Sequence, residues 1–143
     1  MSLVILTLVT FFLHLVWERS HIHLYRDYEQ LKGVLPVSVW ASIGDVGYTF
    51  FAVFLVALFK GDLWWFQTVI TSDYLGLAVL GFCTALFVEY KAFHFKRWAY
   101  TEAMPVVPLF KVGVSSLFQK SLLFPISIWL TTSLHQYFIS NSV

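Results

Sequence analysis

Cysteine occurs once in the 143 residues, as Cys83. A single thiol excludes an internal disulfide and any CxxC metal or redox motif, and Cys83 is expected to be a small buried apolar residue. Charge is scarce as well: Asp, Glu, Lys and Arg make up 12% of the chain, about half the roughly 25% of a soluble domain. Neither sign dominates. Nine basic and eight acidic residues leave a net charge of +1, and the basic residues are scattered, which excludes a nucleic-acid partner. Repeats, low-complexity tracts and linker-like stretches are missing, so residues 1–143 read as one domain. The start, MSLVILTLVTFF, has no basic segment ahead of its apolar run and no small-residue cleavage pattern before Glu18. It is expected to be a retained helix and not a cleaved signal.

What the chain has in abundance is apolar surface. Hydrophobic residues make up 59%, and the mean hydropathy is +0.75. A domain of this length buries a limited share of its area, so lipid must cover the remainder. Four apolar stretches, about 2–17, 36–59, 74–95 and 112–138, can each supply the roughly 20 residues that cross a hydrocarbon core, the first only just. The expected fold class is all-α: a polytopic membrane protein built as a bundle of four transmembrane helices. Helix 1 is expected to run on into ERSHIHLYRDY. Pro36 suits the start of helix 2, and Pro125 is expected to kink helix 4, which membrane helices tolerate.

Orientation follows the basic residues. Arg19, Arg26 and Lys32 follow helix 1, and Lys91, Lys96, Arg97 and Lys111 follow helix 3, whereas the opposite side carries Lys60 alone. Both basic connections are therefore expected in the cytoplasm of a bacterial inner membrane, with the N- and C-termini outside. Trp17 and Trp98 would mark the inner interface and Trp64–Trp65 the outer one.

Within the spans, polar groups gather toward one face. Asp45 lies about 14 Å inside helix 2, Glu89 about 9 Å inside helix 3, and Gln119 roughly 10 Å inside helix 4, at 1.5 Å per residue. His14 sits about one turn inside helix 1, and Glu18 lies at its edge. The outer half carries almost no such groups. An ionisable group at membrane depth costs several kcal/mol unless it meets partners or water, so each marks a candidate functional site. The plainer alternative is a set of interhelical hydrogen bonds that hold the bundle together. Glu18, His21, Asp45 and Glu89 are the candidate acid–base groups. His14, Tyr25, Tyr90, His94, Trp98, Tyr100, Gln119 and Lys120 are candidate binding residues.

His14, Glu18, His21 and Tyr25 follow one another at i, i+4, i+7 and i+11, a single helical stripe, with His23 on the opposite side. Two imidazoles around a carboxylate could ligate a divalent metal, zinc or iron, with Asp45 or Glu89 completing the shell. They could equally relay protons. Tyr90, His94 and Arg97 form a second stripe on helix 3. Arg97 and Lys96, close to the interface, are expected to contact lipid headgroups. Lys120 needs a counter-charge, for which Glu89 or Asp45 is the natural partner. The segment 97–114 is too apolar for a solvated loop. Its Met104–Pro105 and Val107–Pro108 steps forbid continuous helix, so it is expected to fold back over the polar layer as a flap, with Met104 as an apolar plug.

Trp17-Glu18 with His21, Leu24 and Tyr25, then Gly44-Asp45, Glu89, Trp98-Ala99-Tyr100 followed by Met104-Pro105 and Pro108, and Gly113 through Gln119, together resemble a widespread group of small bacterial membrane proteins. The resemblance covers nearly the whole chain, and the WAY…MP…P run is its most specific part. Members of that group often carry a proline where this chain has Ser116. They often carry a histidine ahead of the Gly-Asp step, where this chain has Trp40 and Ala41, which removes a ligand that a metal site would use. The resemblance implies a four-helix bundle and no particular activity.

Three functions compete on these residues. The first is a membrane-embedded enzyme using acid–base chemistry on a lipid or isoprenoid-like substrate, since carboxylates at apolar depth are suited to proton transfer. The second is a structural or accessory subunit of a larger membrane complex or homo-oligomer. The third, proton or ion transport, lacks polar groups in the outer half to complete a path.

Overall fold

The computed structural model describes residues 2–26 and 35–141, and four long helices dominate them. Helix α1 spans Ser2–His21, α2 Val37–Lys60, α3 Thr71–His94 and α4 Val114–Ser140. Three helical stretches are long and apolar enough to cross a membrane: Leu3–Leu24, Val37–Lys60 and Thr71–His94. They are consistent with a multi-pass membrane protein. Cys83, expected to be buried, is instead exposed on α3, on the outer face of an apolar helix. Lys32, one of the basic residues expected to set orientation, and the Asp27-Tyr28 end of the helix 1 extension lie outside the described residues.

Local chemistry sets the helix ends. Pro36 precedes α2 with φ −54°, close to the angle its ring imposes. Gly61 ends α2 at φ 66°, in the left-handed region, where a residue without Cβ is favoured. The Asp73 carboxylate accepts the Ile70 N–H at 3.0 Å and so satisfies a free donor at the start of α3. Lys60 Nζ reaches the same carboxylate at 2.6 Å and ties α2 to α3. The helix 1 extension ends sooner than expected. After His21 the chain tightens into a 3-10 turn at Ile22–Leu24 and leaves as a two-residue strand, β1, Tyr25–Arg26. Tyr25 is therefore not on the α1 stripe.

The segment after α3 is extended, as its two X-Pro steps require. Strand β2, Ala99–Tyr100, pairs antiparallel with β1, placing Tyr25 opposite Tyr100. Strands β3, Val106–Val107, and β4, Val112–Gly113, form a second small antiparallel pair. Met104 is buried and packs on Gly113, where a Cβ would come within 2.7 Å of its sulfur. Pairing α1 with α4 side by side in opposite directions brings His21 to Ser115 and Glu18 to Gln119. Packing of α3 on α4 is close enough that a Cβ on Gly81 would collide with the Lys120 carbonyl.

The main apolar core lies at the end of the bundle away from the polar layer, where Leu6, Ala52, Trp65, Phe66, Leu77, Phe124 and Ile128 meet. Trp65 was expected at a membrane interface beside Trp64. Instead it is fully buried and donates its indole N–H to the Val53 carbonyl at 3.1 Å. The 3-10 turn Trp65–Gln67 folds that side chain inward, which leaves Trp64 as the exposed ring of the pair.

Candidate functional site

All four helices and the post-α3 segment supply polar groups to one layer. On α1, His14, Glu18 and His21 are all buried, because they fall on the one face that meets α2 and α4. His14 Nδ1 lies 2.9 Å from Asp45 Oδ2. Gln119 donates through Nε2 to Glu18 Oε1 at 2.8 Å and to Asp45 Oδ2 at 3.0 Å. Lys120 Nζ contacts Asp45 Oδ1 at 2.7 Å. Of the two candidate counter-charges for Lys120, Asp45 is therefore the direct partner, and the pair is buried on both sides. A buried lysine and carboxylate in contact offset each other's desolvation only while both remain.

His21 bridges a carboxylate and a hydroxyl. Its Nε2 lies 3.5 Å from Glu18 Oε2, and its Nδ1 lies 2.7 Å from Ser115 Oγ. Ser115 and Ser116 were not singled out as site residues by sequence reasoning. Two adjacent serines opening an apolar helix were the available signal, since the first turn of a helix is where short hydroxyl side chains are favoured.

Glu89 has a different setting. Tyr25 Oη donates to its Oε1 at 3.0 Å, and Ser116 Oγ reaches the same oxygen at 2.5 Å, with the two hydroxyls themselves in close contact. Trp98 Nε1 donates to Oε2 at 3.1 Å and Tyr100 Oη at 2.9 Å. Four donors fill the roughly four lone-pair sites of an ionised carboxylate. Gly113 N–H in turn donates to Tyr100 Oη at 2.8 Å. The carboxylate thus gathers β1, β2, α3 and the start of α4 at one point. Burial raises the Tyr25 and Tyr100 phenols above their ordinary range, and the Glu89 charge adds to it; both are neutral donors at physiological pH.

Between these groups lies a cavity of about 270 Å³. Glu18, His21, Tyr25, Asp45, Glu89, Arg97, Trp98, Gln119 and Lys120 make up its polar lining, and Val37, Trp40, Ala41, Gly44, Tyr48 and Val88 line the remainder. All four candidate acid–base residues thus share one space. Trp40, Gly44 and Arg97 are exposed, so the cavity reaches the surface beside α2. Of the expected binding residues, His14, Tyr90, His94 and Tyr100 do not line it; His14 and Tyr100 stand behind it, on Asp45 and Glu89. Tyr90 is exposed and donates its hydroxyl to the Phe110 carbonyl at 2.8 Å, while His94 is exposed and stacks edge-on with Phe95.

The metal reading of His14, Glu18 and His21 fares differently. Among the described residues no group of three or more His, Cys, Asp or Glu side chains is placed to hold an ion. The donor set explains this: the Lys120 ammonium occupies one Asp45 oxygen and the His14 and Gln119 nitrogens the other. No family model, curated protein or solved structure matches this chain.

Proposed function

We propose that the cavity is an intramembrane acid–base site for a lipid or isoprenoid-like molecule with an uncharged polar head. The observation that carries this reading is the mixed lining of the cavity, in which three carboxylates, Lys120, Arg97 and His21 are joined by aromatic and aliphatic side chains of α2 and α3. Such a space suits a molecule that is polar at one end and apolar along its length. Three carboxylates against two permanent cations leave the wall acidic, which disfavours phosphate heads and favours a hydroxyl or carbonyl. In this reading the Glu18–His21–Ser115 relay moves the proton, because an imidazole can take a proton at one ring nitrogen and release one at the other. The Asp45–Lys120 pair and Gln119 orient the head. Glu89, with its lone pairs occupied, anchors the segment after α3 over the cavity.

The same proposal takes α4 as a fourth membrane span. Its polar residues Gln119, Lys120, Ser127 and Thr131 are buried, while Phe118, Leu122, Ile126 and Trp129 face outward, a pattern that keeps an interior-facing polar stripe out of lipid. The basic ends of the helices then lie in the cytoplasm. Active alkaline phosphatase and dark green fluorescent protein fusions at both termini are the expected outcome, and the reverse pattern overturns that orientation.

To test the function, reconstituted protein is incubated with isoprenoid alcohols, quinones and a total lipid extract, and products are followed by mass spectrometry. Turnover that disappears in Glu18→Gln and His21→Gln variants supports an enzyme. Unchanged lipids, with both variants as stable as the parent, reject it in favour of an accessory subunit.

A further inference from the structure

Beyond His14, toward the far end of the bundle, α1 and α4 carry buried polar atoms that no group among the described residues satisfies. Thr10, His14, Ser127 and Thr131 are all within about a hundredth of full burial. Yet Thr10 Oγ1, His14 Nε2, Ser127 Oγ and Thr131 Oγ1 have no hydrogen-bond partner among the described residues. Several helical hydroxyls do bond their own backbone, Thr7 to Leu3, Thr49 to Asp45, Thr84 to Leu80 and Thr132 to Ile128, while Ser121 Oγ on α4 is unpartnered as well. A buried hydroxyl left unpaired costs about 1–3 kcal/mol, so several on two packed helices call for a ligand that can both donate and accept.

Their spacing identifies that ligand. Thr10 is one turn along α1 from His14. On α4, Ser127, Thr131 and His135 follow Lys120 at seven, eleven and fifteen residues, a single face. Gln119, which lies 3.2 Å from His14 Nδ1, sets the level. From there, steps of four residues, or about 6 Å, lead from His14 to Thr10, from Thr10 to the level of Ser127 and from Ser127 to Thr131. One water bridging two groups spans about 5.6 Å at normal hydrogen-bond lengths. At the far end, Thr131 also lines a cavity of about 20 Å³ with Gln67, Thr132, His135 and Gln136, room for one water.

We infer that Thr10, His14, Ser127 and Thr131 hold a file of water molecules that conducts protons between the far-end cavity and the Asp45–Lys120 pair. His14 Nε2 accepts a proton from the file while Nδ1 releases one to Asp45 Oδ2. Rotation of the ring restores the starting tautomer, and no other bond changes. The path completes what large polar residues alone leave open in that half of the bundle. It is independent of the acid–base reading, because conduction requires no substrate.

The test uses the full chain in liposomes containing an entrapped pH-sensitive dye, with a potassium gradient and valinomycin supplying the driving force. Proton entry above the protein-free rate is expected. Ser127→Ala and Thr131→Val should each lower it about tenfold or more, because hydrocarbon offers no alternative partner for the broken file. Thr131→Ser, which keeps the hydroxyl, should retain flux, as should Thr84→Val, whose hydroxyl is engaged with its own helix. Flux no greater than in empty liposomes overturns the inference. So does flux that survives both hydroxyl removals in variants that chromatograph as the parent does.

Discussion

Replacing Glu89 by glutamine changes one atom of the side chain and separates an anchor from a reactive group. In the parent, Oε1 accepts from Tyr25 and Ser116, and Oε2 from Trp98 and Tyr100, at 2.5–3.1 Å. Bonds to a charged acceptor contribute about 1.5–3 kcal/mol and neutral ones about 0.5–1.5, so four weakened bonds could lose about 4 kcal/mol together. The amide also points two N–H groups at two donors. Orienting its nitrogen toward Tyr25 and Ser116 limits the conflict, since hydroxyls can rotate and accept, whereas the Trp98 indole cannot. The expected net loss is about 2–4 kcal/mol, which corresponds to a melting temperature lower by roughly 5–15 °C for a chain of this size. Thermal unfolding of the detergent-solubilised variant measures it. Trp98→Phe, which removes one donor and leaves the charge, should lose about 1 kcal/mol. A Glu89→Gln protein that melts at or above the parental temperature would refute the anchor, and would mark Glu89 as a strained group whose charge serves chemistry.

Asp45→Asn leaves the buried Lys120 ammonium without its 2.7 Å counter-charge and should cost about 3–5 kcal/mol. Adding Lys120→Met should recover much of that loss, and a double variant as unstable as the single one would argue against the pair. Gly81→Ala places a methyl against the Lys120 carbonyl, so α3 and α4 must separate at a cost of about 1–3 kcal/mol; a neutral effect on melting temperature would show that the helices do not approach this closely. The Tyr25 and Tyr100 phenols are raised by burial first and by Glu89 second. Above about pH 10 the unfolded chain releases these protons while the folded one keeps them, so stability is full below that pH and falls as pH rises beyond it. Melting temperatures across an alkaline series should show this decline, flattened in a Tyr25→Phe, Tyr100→Phe variant, and an unflattened slope would assign the decline elsewhere.

The helices themselves were legible in the sequence. The apolar runs about 2–17, 36–59, 74–95 and 112–138 match α1 to α4 within a few residues, because run length and the punctuation at Pro36 are local properties. The convergence of Glu18, His21, Asp45 and Glu89 was legible too, since depth along a helix can be counted. Which group touches which was not. Lys120 could have met Glu89, but the close crossing of α3 and α4 at Gly81 and the packing of α2 on α1 deliver Asp45 to it instead. Tyr90 and His94 share a helix with Glu89 yet point outward, and Tyr25 reaches Glu89 only because the chain abandons the α1 helix at Ile22. Ser115, Ser116 and the unpaired hydroxyls of Thr10, Ser127 and Thr131 look ordinary in a one-dimensional reading. Their meaning comes from the side chains that neighbouring helices place, or fail to place, within 3 Å of them, and those distances exist only once the bundle has packed.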